Sequence, residues 1–202
     1  MGRLKRIATF ASGYGSNLQA IIDYFKNSNN VEIGLVFSNN QGAYALKRAE
    51  NSKIKKFVLD YHKFDSREEY DREIAKILIT ERIDLIVLAG YMLLLSDWFV
   101  DKFKNKILNI HPSLLPSFKG TNGIKDAFDY GVKITGVTVH FVDKKLDHGP
   151  IILQKEVNIL SQDSLETLEE KIHKVEHELY PLAIQYYCEG KLKIKGRKVI
   201  IT

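Results

Sequence analysis

Short apolar runs alternate with amphipathic helical stretches through the first half of the chain, and this alternation limits the fold more than any other feature. Residues 7–10 are apolar and stop at Ser12-Gly13; a helical stretch follows with Leu18, Ile21, Ile22 and Phe25 on one face. Residues 31–37 read as a second strand closing at Ser38-Asn39-Asn40, residues 43–51 as a helix, and residues 56–59 as a third strand. Asp65-Ser66 can cap a helix over 67–81 that turns Tyr70, Ile74, Ile77 and Leu78 inward. Residues 85–89 are apolar without a break, the pattern of a strand covered on both faces. A helix near Ser96-Asp97 and a fifth strand at 107–110 complete the repeated strand–helix–strand units. The expected class is α/β: a doubly wound, mostly parallel sheet with a mixed C-terminal part.

The second half carries the mixed part. Residues 135–142 alternate, with Val137, Val139 and Phe141 on one face and Thr138, His140 and Val142 on the other. Residues 151–157 supply a partner strand after Asp147-His148-Gly149-Pro150. Asp163 and Glu166 resemble a capping box that opens a long helix, with Leu165, Leu168, Ile172, Val175 and Leu179 spaced for burial. Pro181 lacks an N–H and is expected to kink or break that helix after Tyr180. Residues 192–194 and 199–201 suggest a closing hairpin. At 202 residues without a linker-like segment, the expectation is one domain over 1–202. Its N-terminal lobe would cover about 1–106 and its C-terminal lobe about 107–202.

Composition narrows the partners. The single Cys188 forbids an intrachain disulfide and every multi-cysteine zinc pattern, which suits a reducing, cytoplasmic setting. The longest apolar run, residues 85–95, has eleven positions against the ~20 of a spanning helix. Met1-Gly2 is not followed by the Ser or Thr of a myristoylation signal; Arg6 stands there. Lys and Arg exceed Asp and Glu by 30 to 25, without the aromatic-interleaved basic stripe that single-stranded nucleic acid needs for stacking. Neither nucleic acid nor membrane is therefore an expected partner, whereas an anionic small substrate suits the mild positive field.

Three places carry possible chemistry. Ser12-Gly13-Tyr14-Gly15-Ser16-Asn17 lies between the first strand and its helix, where free N–H groups favour an anion. Leu18 replaces the third glycine of a dinucleotide fingerprint, and Ser38-Asn39-Asn40 replace its acid. Two readings stand equally: a site for a lone phosphate monoester, or a tight turn with Ser16 as N-cap. In Asn109-Ile110-His111-Pro112-Ser113-Leu114-Leu115-Pro116, Asn109 and His111 project to the same side at the carboxyl end of a strand. An amide beside an imidazole can hold an oxyanion and exchange a proton. A strand-end His is ordinarily satisfied by a backbone carbonyl, but the Asn-x-His pair before proline points to function. In the loop 143–150, Asp147 can orient the imidazole or serve only the local turn. His173 and His177, four apart beside Glu176, read as a solvated helix face rather than metal ligands.

Taken in order, the glycine turn, Phe64-Asp65-Ser66-Arg67, Ala89-Gly90-Tyr91-Met92, the stretch from Asn109 to Pro116, and Val139-His140-Phe141-Val142 with Leu146-Asp147 resemble the phosphoribosylglycinamide formyltransferases nearly end to end. These are folate-dependent enzymes of purine synthesis, and the Asn-x-His-Pro-Ser-Leu-Leu-Pro element is specific for the wider formyl-folate superfamily. The resemblance implies 10-formyltetrahydrofolate as co-substrate, phosphoribosylglycinamide as acceptor, no metal, and a monomer or weak homodimer. It implies Asn109, His111 and Asp147 as the catalytic trio. Gly15, Ser16 and Asn17 would hold the substrate phosphate, with Glu176 near its ribose or glycinamide end. Met92, Leu93, Leu94, Leu95 and Val100 would wall the pterin pocket. Asp143, Lys144, Lys145, Leu146 and Asp147 would bond the pterin, with Asn109 beside it, and Arg67 would lie near the folate tail. The chain departs from relatives at Leu93, Lys119, Asn122 and His148. A deformylase would be expected to carry an extra N-terminal domain, and a methionyl-tRNA formyltransferase a further C-terminal one.

Overall fold

A computed structural model of the protein describes residues 3–202; Met1 and Gly2, on which the myristoylation reading falls, lie outside the described residues. The chain divides into two units, one ending at Leu108 and the other Asn109–Thr202.

The first unit runs β1 (Lys5–Phe10), α1 (Ser16–Phe25), β2 (Val31–Ser38), α2 (Tyr44–Asn51), β3 (Lys56–Val58), α3 (Arg67–Thr80), β4 (Leu85–Leu88) and α4 (Asp97–Lys102). Its strands lie in the order β3-β2-β1-β4, every pair parallel. β4 and the second half of β1 are wholly buried, which explains why both read as unbroken apolar runs. α1 seats Leu18 and Ile22 against Ala45, Leu46 and Ala49 of α2 and Val36 of β2. β1 lies between β2 and β4, so the chain leaves it at the point where strand order reverses, the place where open sheets bind ligands. Ser66 and Ser96 cap α3 and α4, accepting from the Glu69 and Phe99 amides.

The second unit holds α5 (Gly123–Tyr130), β6 (Ile134–Phe141), β7 (Ile151–Asn158), α6 (Leu165–Cys188), β8 (Leu192–Lys195) and β9 (Lys198–Ile201). It begins within β5 (Ile107–His111), and its strands follow the order β5-β6-β7-β9-β8. β6 and β7 pair antiparallel, β7 and β9 parallel, β8 and β9 antiparallel, so the C-terminal part is mixed as expected. Among the described residues no helix is long and apolar enough to cross a membrane.

Some expectations need correction. Pro181 sits inside α6 without ending it, because Leu179, Tyr180, Ala183 and Ile184 are buried on both sides of it and hold the two halves down. The box that opens α6 is Ser164 with Thr167, each side chain meeting the other's backbone N–H. Asp163 instead accepts from the Leu160 amide and pairs with Lys171, and is thereby drawn out of the cap. α5 is a further helix, eight residues long, with only Gly123 and Ala127 buried.

Candidate active site

The carboxyl end of β5 presents Asn109 and His111. His111 is only 3% exposed, and its Nε2 lies 2.7 Å from the Phe118 carbonyl oxygen. A carbonyl only accepts, so Nε2 carries the proton and donates. Nδ1 then turns toward Asp147, 3.4 Å from Oδ2. The Asp147 carboxylate, 8% exposed, also accepts the Gly120 amide at 2.8 Å. The trio thus gathers within the second unit, and a proton arriving on Nδ1 meets a carboxylate oxygen.

His140, on the facing strand β6 and 2% exposed, completes the group. Its Nδ1–H donates to the Phe141 carbonyl at 2.8 Å, which leaves Nε2 as an acceptor 3.3 Å from the Asn109 amide nitrogen. Burial pushes the His140 pKa down, against the opposing pull of the Phe141 bond and the Asp147 charge, so the ring stays neutral. Neutral His140 therefore orients the Asn109 amide with nitrogen inward, one N–H used and one free to donate. His140 was visible in the sequence only as one member of an alternating strand. The Phe118 carbonyl and Gly120 amide carry no side-chain signal at all.

Asp147 adopts a left-handed conformation, φ 45°, which short polar side chains tolerate better than most. The turn closes through Gly149, where a Cβ would overlap the Phe141 carbonyl oxygen, so only glycine fits. At the loop's start Asp143 accepts from the Lys145 amide and the His148 ring. Burial raises the Asp143 carboxyl, but the His148 bond, the Lys145 amide and the His148 and Arg197 charges outweigh it and hold the group low. Lys144, Lys145 and Leu146 are exposed.

In the first unit, Gly15 and not Ser16 is the N-cap of α1, without a side-chain cap. Its φ of 75° and the 2.9 Å that a Cβ would leave to the Ala45 Cβ require glycine, and the N-cap residue itself offers no side chain to the start of the helix. The preceding Ser12 hydroxyl donates to Asn39 and accepts from the Met92 amide, and Arg48 braces the Tyr14 carbonyl. Met92 and Leu94 are exposed in the loop after β4, Leu93 and Leu95 are half-buried, and Val100 is buried in α4. Arg67 opens α3 with its guanidinium 4.4 Å from the Tyr61 ring centroid, and its buried Nη1 has no hydrogen-bond partner among the described residues. In the second unit Glu176 is buried rather than solvated, 3.0 Å from His173 Nδ1, because its stretch of α6 faces inward beside Ile172 and Leu179. Hydrogen bonding to Glu176 raises the His173 pKa.

Residues 5–184 match the family model described as formyl transferase. The phosphoribosylglycinamide formyltransferase of Bacillus subtilis (strain 168) is 41% identical over 183 residues, 90% of this chain and 94% of that protein. The trifunctional purine biosynthetic protein adenosine-3 of Gallus gallus is 43% identical over 94% of this chain. The chain spans only 19% of that relative's length, and 14% of the Chironomus tentans counterpart. Among solved structures, glycinamide ribonucleotide transformylase 1 from Symbiobacterium toebii superposes with a TM-score of 0.96 at 42% identity, covering 100% of this chain and 95% of that one.

Proposed function

Because the chain belongs to the formyl transferase family, we propose that it transfers a formyl group from 10-formyltetrahydrofolate to the primary amine of phosphoribosylglycinamide, in purine synthesis in the cytoplasm. The observation that carries the reading is the buried approach of His111 Nδ1 to Asp147 Oδ2 at 3.4 Å, beside an Asn109 amide with an N–H to spare.

The uncharged amine attacks the formyl carbon, the new C–N bond forms, and the carbonyl oxygen becomes an oxyanion. The free Asn109 N–H stabilises that oxygen, and His111 adds to it as the imidazolium once Nδ1 has taken up a proton. The proton released by the attacking nitrogen passes by way of Asp147 and His111 to N10 of the folate as the C–N10 bond breaks. In the N-terminal lobe, the start of α1 at Gly15, Ser16 and Asn17 suits the substrate phosphate. The unpaired Arg67 Nη1 suits a carboxylate of the folate tail, and exposed Met92 and Leu94 with Leu93, Leu95 and Val100 suit the flat pterin. The backbone of the loop 143–147 supplies its polar edge, and Glu176 suits the ribose or the amine.

The test is the purified protein with 10-formyltetrahydrofolate, with and without phosphoribosylglycinamide. Formylated product only when the amine is present supports the reading; free formate without it makes the protein a deformylase. His111→Ala is expected to lower kcat at least ~10²-fold while the fold stays intact.

A further inference from the structure

The loop that carries Asp147 is closed at its base by the Phe141 amide donating to the Pro150 carbonyl at 2.9 Å. Asp147 itself takes the left-handed conformation, with its carboxylate accepting the Gly120 amide at 2.8 Å. A further tie comes from far along the chain. Arg197 occupies the turn between β8 and β9, exposed to solvent, and both amino groups of its guanidinium reach His148, the residue after Asp147. Nη2 donates to the His148 carbonyl at 2.7 Å, and Nη1 lies against the His148 ring, 3.1 Å from Nε2 and 3.3 Å from Nδ1. On its other side the His148 Nδ1–H donates to Asp143 Oδ2 at 2.7 Å, since a carboxylate oxygen accepts. A single relay therefore runs Arg197 to His148 to Asp143 and spans the loop on either side of Asp147. The hairpin that delivers it is registered beside the loop's exit, since Lys198 pairs with Ile151.

We propose that Arg197 is a positioning residue for the reaction, holding the Asp147 loop in its working conformation through His148. The inference rests on the formyl-transfer reading for the role of Asp147. It is specific to this chain's own residues: the imidazole of His148 is what links Arg197 to Asp143. A planar guanidinium donates to the carbonyl and lies against the ring of one residue in a fixed geometry, which a lysine with one point charge does not reproduce.

Arg197→Met is the test variant, with Lys195→Met as control. Lys195 lies on the same hairpin, and its loss removes the same charge without touching the loop. Amide hydrogen exchange across residues 143–149 reads the tie itself and needs no activity. Exchange is expected to quicken in Arg197→Met and stay unchanged in Lys195→Met, with both proteins folded. Kinetically, Arg197→Met is expected to lower kcat about tenfold, short of the ~10²-fold that a full ångström of misplacement costs, with KM for phosphoribosylglycinamide unchanged. Arg197→Lys is expected to recover part of that loss. Unchanged exchange overturns the proposal; faster exchange with wild-type kcat reduces Arg197 to a surface tie and overturns it too. An inactive wild type sinks the formyl-transfer reading instead, and the exchange arm then decides alone whether Arg197 holds the loop.

Discussion

Asp147→Asn removes one charge while keeping the side chain's shape. The amide oxygen can take the place of Oδ2 and keep the Gly120 N–H bond of 2.8 Å, so the loop has no new void and no lost backbone partner. The loss is the interaction with the positive charge that develops on His111 as it takes up the proton. At the observed 3.4 Å and an effective dielectric of ~20, two unit charges attract by about 5 kcal/mol. Divided by 1.36 kcal/mol per decade, that sets a ceiling between ~10³ and ~10⁴ in rate. Water entering with the substrates screens part of it, so kcat is expected to fall ~10²- to 10³-fold, with both KM values little changed. The measurement is initial-rate kinetics of formyl transfer, with thermal melts by circular dichroism to establish that the variant is folded. A folded variant whose kcat lies within about threefold of wild type would refute the coupling of the carboxylate to the imidazole.

Three further outcomes follow from the same geometry. His140→Leu strips the Asn109 amide of its acceptor and the Phe141 carbonyl of its donor; it is expected to cost about 1–3 kcal/mol in denaturant unfolding and to depress kcat more than KM, and an unaltered kcat would detach His140 from Asn109. Gly15→Ala forces a Cβ into a left-handed residue against Ala45, so it is expected to destabilise the protein by about 1–3 kcal/mol and to raise KM for phosphoribosylglycinamide more than KM for the folate; equal changes in both would remove the turn from the phosphate site. For His173, whose pKa is raised above the unfolded 6.5 by the Glu176 bond, the native state binds more protons than the unfolded one between the two values. Its stabilising contribution is therefore full below pH ~6.5 and fades as pH climbs through the folded value. The melting-temperature gap between wild type and His173→Gln should be wider at pH ~6 than at pH ~8.5, and a gap independent of pH contradicts the pairing.

Much of the architecture was legible because period is a local property. The unbroken apolar run of β4 and the facing stripe of α1 each follow from which side chains must leave water, and neighbours three or four positions away settle that. Helix ends were less legible. Ser164 displaced Asp163 as the cap of α6 because Asp163 found Lys171 and the Leu160 amide. Pro181 was carried through the same helix by burial on either side of it. In each case a partner outside the local window outweighed a local preference.

The candidate site divides along the same line. Residue order alone determined that Asn109 and His111 share one side at the end of a strand, since alternation in an extended chain is set by backbone geometry whatever surrounds it. Only the tertiary structure decided which nitrogen of His111 is bound by a carbonyl and which faces Asp147, and that His140 turns the Asn109 amide. Only it placed Arg197 on His148, 49 residues away. Those assignments depend on backbone carbonyls, amides and side chains brought within 3–4 Å by packing. A backbone donor or acceptor is the same atom at nearly every residue, so its identity as a partner exists only once the chain has folded around it.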